Sequence, residues 1–360
     1  MKVWRRFPGA FAAAMLFASV AAAQTAAPPA TAPAPPAPKP SIVTGISGHL
    51  SAGTFSADGR TCALVGANGL FVLKRGAAAG EWTLSHVGTT TDAASVVLSP
   101  DATYAAVGLI DRTVAIITLR DGITWRTLGC RDLVLEGSPA IAGFLDQNRK
   151  LVAGGSRVGV WSVGDGQLIR SFALPVQQNR MALSPDGKML ATGWTAAGGI
   201  QLVDMASGRP LPRQPEVKKE SAATGPMNPR GLEQVRFTAD GRHVYGESLL
   251  AGGMFFYNVS DGTQAGRLRF DHFSRGALTD DLAAAAWGTI HLAATTPPPP
   301  LVVAPMKDAQ ETVGVMLTAN KKVVMRSPVD GGVGLVVISG DGRTLIAATE
   351  DKVLLWNLGQ

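Results

Sequence analysis

The stretch that decides the fold is Ala182-Leu183-Ser184-Pro185-Asp186-Gly187-Lys188-Met189-Leu190-Ala191-Thr192-Gly193. It reads as a short apolar strand, a tight turn at Pro185-Asp186-Gly187, and a second strand. Proline pre-sets its own φ and glycine reaches positive φ at little steric cost, so these residues suit a chain reversal. Relatives of this stretch recur along most of the chain. Their turn aspartates are Asp58, Asp101, Asp146, Asp186, Asp240, Asp281 and Asp341, at intervals of 43, 45, 40, 54, 41 and 60 residues. Seven units with a period of ~40–45 residues, two of them lengthened by insertions, suit four-stranded sheets set around an axis.

Each unit continues in the same way. A strand rich in Ala, Gly and Val follows the turn, then a short loop and a third strand. A second turn comes next, at Asp121-Gly122, Asp165-Gly166, Ser207-Gly208 and Asp261-Gly262. Such dipeptides between apolar runs mark hairpins, and a fourth strand such as Leu168 to Leu174 follows. Long amphipathic helical patterns are nearly missing after residue 41. The expected fold is all-β, a seven-bladed β-propeller of four-stranded antiparallel blades. The last unit ends on a third strand, Val353 to Trp356. Ile42-Val43-Thr44-Gly45-Ile46 precedes the first unit and can supply the missing fourth, pairing the two chain ends and removing exposed sheet edges.

With these motifs in place, residues 42–360 resemble the divergent WD-repeat β-propellers of the exported bacterial type. The resemblance rests on Ser184-Pro185-Asp186-Gly187 and its relatives, and on third-strand endings such as Val160-Trp161-Ser162 and Leu355-Trp356-Asn357. Val203-Asp204 and Tyr257-Asn258 stand where the family has Trp-Asp, and Gly-His occurs at Gly48-His49. The resemblance implies a non-catalytic platform that binds a protein partner, without a cofactor.

The chain begins like an export signal. Lys2, Arg5 and Arg6 precede an apolar run from Phe11 to Val20, and Ala21-Ala22-Ala23 offers small residues for cleavage. A membrane anchor is the alternative, but the run is short for a span of ~20 residues. Arg5-Arg6 also invites a twin-arginine reading, which the surrounding residues match poorly. Residues 1–23 are therefore read as a Sec-type signal peptide and the product as periplasmic or secreted, with no transmembrane helix after processing. Losing these three positive charges takes the formal charge from +6 to +3. So small an excess on so long a chain is no nucleic-acid signature. Residues 24–41 are almost wholly Ala, Pro and Thr, an extended linker that buries no core and reaches roughly 50 Å. A monomer is expected.

Candidate chemistry is sparse. Cys62 and Cys130 read best as buried free thiols, with a disulfide or a reactive thiol as alternatives. His49, His86, His243, His272 and His291 show no helical zinc spacing, although separated residues can converge on a propeller axis. Most turn aspartates have a structural task, and no Gly-x-Ser-x-Gly elbow precedes a helix. Trp161 and Trp356 are expected in the core. No catalytic, metal-binding or cofactor-binding residue is assigned.

The loops after the second and fourth strands should share one face. The candidate interaction residues there are Asn68, Asp111, Arg112, Arg157, Trp194, Glu247, Trp287 and Asp351. Arg213, Lys218 and Lys219 join them from the insertion at 213–231. A second irregular stretch, 295–332, has no clear strand assignment. A lactonase-like hydrolase holding a cation in the central channel is the alternative function, and envelope or carbohydrate recognition a third. Small residues of the second strands, such as Ala63, Ala105 and Ala191, are expected to line an apolar axis.

Overall fold

The computed structural model describes residues 38–358 apart from 47, 79, 88–91, 136, 175–179, 194–199, 212–233, 249–252, 262, 270–273, 279–283, 290–311, 318–322 and 331. The leader and nearly all of the Pro-rich linker lie outside the described residues. The described part belongs to one compact unit, Ala34–Gln360, built of strands and turns.

Strand β1 (Ser41–Val43) precedes the first sheet, which holds β2 (Leu50–Phe55), β3 (Thr61–Gly66), β4 (Gly69–Arg75) and β5 (Trp82–Val87). The second holds β6 (Ala93–Leu98), β7 (Tyr104–Leu109), β8 (Thr113–Thr118) and β9 (Thr124–Gly129). The third holds β10 (Ala140–Leu145), β11 (Lys150–Gly154), β12 (Arg157–Ser162) and β13 (Leu168–Ala173). Three strands make the fourth, β14 (Arg180–Leu183), β15 (Met189–Gly193) and β16 (Ile200–Asp204). The fifth holds β17 (Gln234–Phe237), β18 (His243–Ser248), β19 (Gly253–Asn258) and β20 (Gln264–Arg269). The sixth holds β21 (Ser274–Leu278), β22 (Ala284–Thr289), β23 (Thr312–Leu317) and β24 (Val323–Pro328). In the last, β25 (Leu335–Ile338), β26 (Thr344–Ala348) and β27 (Val353–Asn357) are completed by β1. All the pairings are antiparallel.

These sheets form a β-propeller. Each carries apolar side chains on both faces of its inner strands and must cover both. On β3, Cys62 and Leu64 pack toward the last sheet, whereas Ala63 and Val65 pack toward the second. On β26, Ile346 and Ala348 meet the first sheet while Leu345 and Ala347 meet the sixth. Two buried faces turn the alternating pattern of a half-exposed strand into a continuous apolar run. That is why Thr61-Cys62-Ala63-Leu64-Val65-Gly66 is buried throughout. The outer strands β5, β9 and β13 are largely exposed or half-buried. Core clusters join each sheet to the next, and one joins the last sheet to the first. Trp161 and Trp356 lie in this core.

The ends of the chain pair as the sequence anticipates. Ser41, Ile42 and Val43 lie opposite Leu355, Leu354 and Val353. The structure also resolves the irregular stretch. Residues 312–317 and 323–328 are the third and fourth strands of the sixth sheet, so the inserted residues 290–311 fall between β22 and β23.

The turns between first and second strands repeat one arrangement. Ser56, Ser99, Ser184 and Ser339 donate from Oγ to Asp58, Asp101, Asp186 and Asp341 at 2.6, 2.7, 2.7 and 2.6 Å, and Thr238 donates likewise to Asp240. Each carboxylate accepts the backbone N–H two residues on. Each hydroxyl accepts the backbone N–H five residues on. The residue after each Asp has positive φ. It is glycine at Gly59, Gly187, Gly241 and Gly342, but alanine at Ala102, with φ 53°. In the third sheet the motif is lost, and Asp146, Gln147 and Asn148 take positive φ in succession.

Left-handed backbone costs an L-residue roughly 1–2 kcal/mol, offset in part by the entropy a glycine loses on folding. Ala102→Gly therefore raises stability by about 0.5–1 kcal/mol, read as a higher urea midpoint; an unchanged or lower midpoint contradicts the strain argument. The hydroxyl and the backbone N–H hold the carboxyls of Asp58, Asp186 and Asp240 below the usual range. At Asp101 desolvation opposes this, but hydrogen bonds from Ser99, Thr103 and Asn148 outweigh it and bring the group down to about 2. A pKa lower in the folded than in the unfolded chain, where Asp titrates near ~3.9, gives stabilisation present above that value and lost as pH falls through the folded pKa. The melting temperature should fall between about pH 5 and 2, and less steeply in Asp101→Asn; identical slopes would remove these turns from the acid response.

Candidate interaction face

The short connections that carry most of the candidate residues lie at one end of the ring, tied to the segments that lead into the first strands. Ala67 N donates to His49 O and Ile110 N to Asp92 O, joining the β3–β4 and β7–β8 turns to the residues just before β2 and β6. The β9–β10 connection is tied on both sides: Cys130 N donates to Arg112 O at 2.9 Å, and Arg157 N to Leu133 O at 3.1 Å. Asp351 belongs to the β26–β27 turn, which with Ile46, Gly48 and Leu50 lines a recess of about 240 Å³. Asn68, Asp111, Arg112, Arg157 and Asp351 thus form an arc over four consecutive sheets.

Within the arc, several residues also shape their own turns. Asp111 Oδ1 accepts from Thr113 N at 3.0 Å and Thr113 Oγ1 at 2.6 Å, which positions Arg112 at φ 68°. Asp351 accepts from Thr349 Oγ1 at 2.9 Å; that bond first, then the charge of Lys352, lowers its pKa. Asn68 and Arg157 are exposed. The Asn68 carbonyl meets His86 Nε2 at 2.7 Å, and His86 stacks on Phe71 with centroids 4.5 Å apart. The Arg157 guanidinium donates to Ser171 Oγ at 2.9 Å.

Other candidates are placed differently. Glu247 is a correction: it is fully buried inside β18, opposite Gln234 and Met254, because this strand runs on past the expected loop. The Trp287 backbone lies inside β22, opposite Gly276 and Gly314, two residues short of the strand end. Trp194, Arg213, Lys218 and Lys219 lie outside the described residues.

Two neighbours were not singled out from sequence. Ile110, at the tip of β7, is 51% exposed, and Leu135, in the β9–β10 connection, is 66% exposed. They flank the hydrogen bonds that fix Arg112 and Arg157. The signal for Leu135 is the length of its connection, ten residues between Gly129 and Ala140. Within Leu133-Val134-Leu135, the first two side chains are buried and the third is not.

The channel differs from the sequence expectation. The first strands β2, β6, β10, β14, β17 and β25 together line a cavity of about 320 Å³, whereas the Ala-rich second strands are sandwiched between sheets. Charged side chains among the described lining residues are Arg180 and Arg236. Among the described residues, no group of three His, Cys, Asp or Glu is arranged to hold a metal ion.

No protein-family model matches the chain, and no curated protein matches it with significant similarity.

Both cysteines are buried free thiols, so the disulfide alternative is set aside. Desolvation pushes the Cys130 thiol up to about 12 and raises that of Cys62 as well. Thiols so protonated are poor nucleophiles. Native protein should leave both unmodified by a thiol-reactive dye over hours and expose both in denaturant; rapid labelling of Cys130 would mean that the β9–β10 connection opens.

Proposed function

We propose that the chain is an exported, seven-bladed propeller of the divergent WD-repeat kind that serves as a non-catalytic scaffold for a protein partner. The observation that carries this reading is the exposed pair Ile110 and Leu135 beside Arg112 and Arg157, on loops held by backbone hydrogen bonds. Apolar side chains set among arginines on a rigid support are the usual composition of an interface centre. Holding the loops in place beforehand reduces the ordering cost of association. The ring acts as a monomer, and its partner docks on the arc described above.

A count of seven blades is supported by the six four-stranded sheets together with the fourth, three-stranded one. There Pro210 bridges Val203, where a fourth strand would begin. The WD-repeat kinship is supported by the recurrent Ser/Thr-x-Asp turn and by the joining of chain ends within one sheet. The hydrolase alternative needs carboxylates or imidazoles around a cation. The charged side chains among the described residues of the channel wall are arginines, not the groups that reading needs.

The test is capture from a native envelope fraction with mature protein, comparing wild type with Ile110→Asp/Leu135→Asp. A protein retained by wild type and lost from the double variant, with unchanged circular dichroism, is expected. The same set of proteins on both variants, or binding to purified wall polysaccharide alone, would overturn the reading.

A further inference from the structure

The β3–β4 turn carries chemistry that the loop-face reading does not use. Gly66 and Gly69 pair across it, and Ala67 and Asn68 form its exposed tip. Asn68-Gly69 is the one Asn-Gly step in the sequence; the other asparagines precede Arg, Pro, Val, Lys or Leu. Glycine matters here for two reasons. At φ 104° the backbone of Gly69 lies where residues with a Cβ are strained. A glycine also has no Cβ to shield its amide nitrogen from the side chain that precedes it. A bond from that nitrogen to Cγ of Asn68 would close a small, unstrained ring.

A second observation comes from β5. His86 Nε2 lies 2.7 Å from the Asn68 backbone oxygen. A carbonyl oxygen only accepts, so Nε2 carries the proton and donates. Stacking on Phe71, with centroids 4.5 Å apart, holds the ring in place. The carbonyl that receives this bond belongs to the same peptide unit as the Gly69 nitrogen. When that nitrogen loses its proton, amide resonance moves the charge onto the carbonyl oxygen. A donor fixed at the oxygen stabilises the charged form, as it does wherever charge develops during a reaction. His86 thereby raises the fraction of the Gly69 nitrogen present in its reactive form. On the other side of the turn, a Cβ at Gly48 would meet Asn68 Nδ2 at 2.9 Å, so the carboxamide lies against the segment that leads into β2. Gly48 in turn lines the recess that holds Glu350, Asp351 and Lys352.

We propose that Asn68 is a self-modifying position, at which the Gly69 nitrogen attacks Asn68 Cγ and the side-chain nitrogen leaves as ammonia. The Gly69 amide proton passes to a solvent base, and the departing nitrogen takes one from water. The product is a succinimide. Water then opens it, at the side-chain carbonyl to give aspartate or at the backbone carbonyl to give isoaspartate. No oxidant, metal or cofactor is consumed. Either product sets a new carboxylate beside Gly48, whose recess already holds Glu350 and Asp351. Isoaspartate also lengthens the backbone of the turn by one methylene.

The test is a time course on folded mature protein at neutral and at mildly alkaline pH, read by mass spectrometry after trypsin. The peptide Thr61–Lys74 should gain one mass unit with matching release of ammonia, and enzymatic methylation should report isoaspartate in it. The gain should be faster at alkaline pH, because the Gly69 nitrogen must lose a proton. Asn148, Asn258 and Asn357 serve as internal controls and should stay unmodified over the same period. Asn68→Gln should abolish the change. His86→Phe keeps an aromatic ring for Phe71 but has no N–H to donate, and should slow the change severalfold. His86→Gln keeps a donor and should retain part of the rate, which decides the matter if the Phe variant does not fold. The synthetic peptide 61–74, which has no His86, should react more slowly than the folded protein. An unmodified peptide, a folded protein slower than the free peptide, or an unchanged rate in folded His86→Phe would overturn the proposal. Each of these results leaves the loop-face reading standing, since that depends on Ile110 and Leu135.

Discussion

A hydroxyl that bonds a carboxylate two residues on and a backbone N–H five residues on is the constraint on which this ring rests. Among the described residues it closes the hairpin between the first and second strands in five sheets, and it does so with residues close in sequence. Register matters because a slip of one residue would exchange the two faces of every strand that follows. Here both faces are buried, so a slip would send Leu64 toward the second sheet and Val65 toward the last. The lock sets register locally, before any neighbouring sheet is in place. Each sheet then reaches its partners with its apolar groups already correctly divided between the two sides.

No sheet in such an array can cover itself. Each supplies half of two clusters, so stability passes from neighbour to neighbour as in other repeat architectures. An open chain of sheets would leave two apolar faces in water. The cluster that joins Leu64 and Phe71 of the first sheet to Leu335 and Ile346 of the last removes both faces. The short strand β1 adds covalent continuity to that seam, because the last sheet contains both β1 and β27. Ile42 remains 60% exposed within it. Backbone pairing, more than side-chain burial, is thus what β1 contributes at the outer edge of the sheet.

The legible parts of the sequence are those where chemistry and spacing are local. The Ser/Thr-x-Asp turns, the hairpin dipeptides and the spare strand at Ile42 could all be read without knowledge of neighbours. Which strand faces the axis could not. Ala63, Ala105 and Ala191 are small because sheets crowd together there, and smallness at an axis looks the same in sequence. Glu247 shows the same limit, since a carboxylate near an expected strand end reads as a loop residue until the strand is seen to continue. Leu135 was hidden because exposure divides Leu133-Val134-Leu135 side chain by side chain, and hydropathy alone assigns all three to the core. The third and fourth strands of the sixth sheet escaped assignment because they follow a long insertion, so the regular interval fails there.

Repetition also lets residues at equivalent positions be compared. At equivalent positions the ring uses Ala52, Ser95 and Gln234 at one level of its wall, and Thr54, Val97 and Ala182 at the other. Those choices fill space at small desolvation cost. Arg180 and Arg236 occupy the same levels with charged side chains. The same comparison applies to the loop face. Turns of two residues close β3–β4 and β11–β12 without an exposed large apolar residue at their tips, whereas β7–β8 carries Ile110 beside its turn. Internal comparison among repeats therefore separates residues that the ring requires from residues that the ring merely tolerates. The second kind is where binding chemistry can reside without loosening the frame.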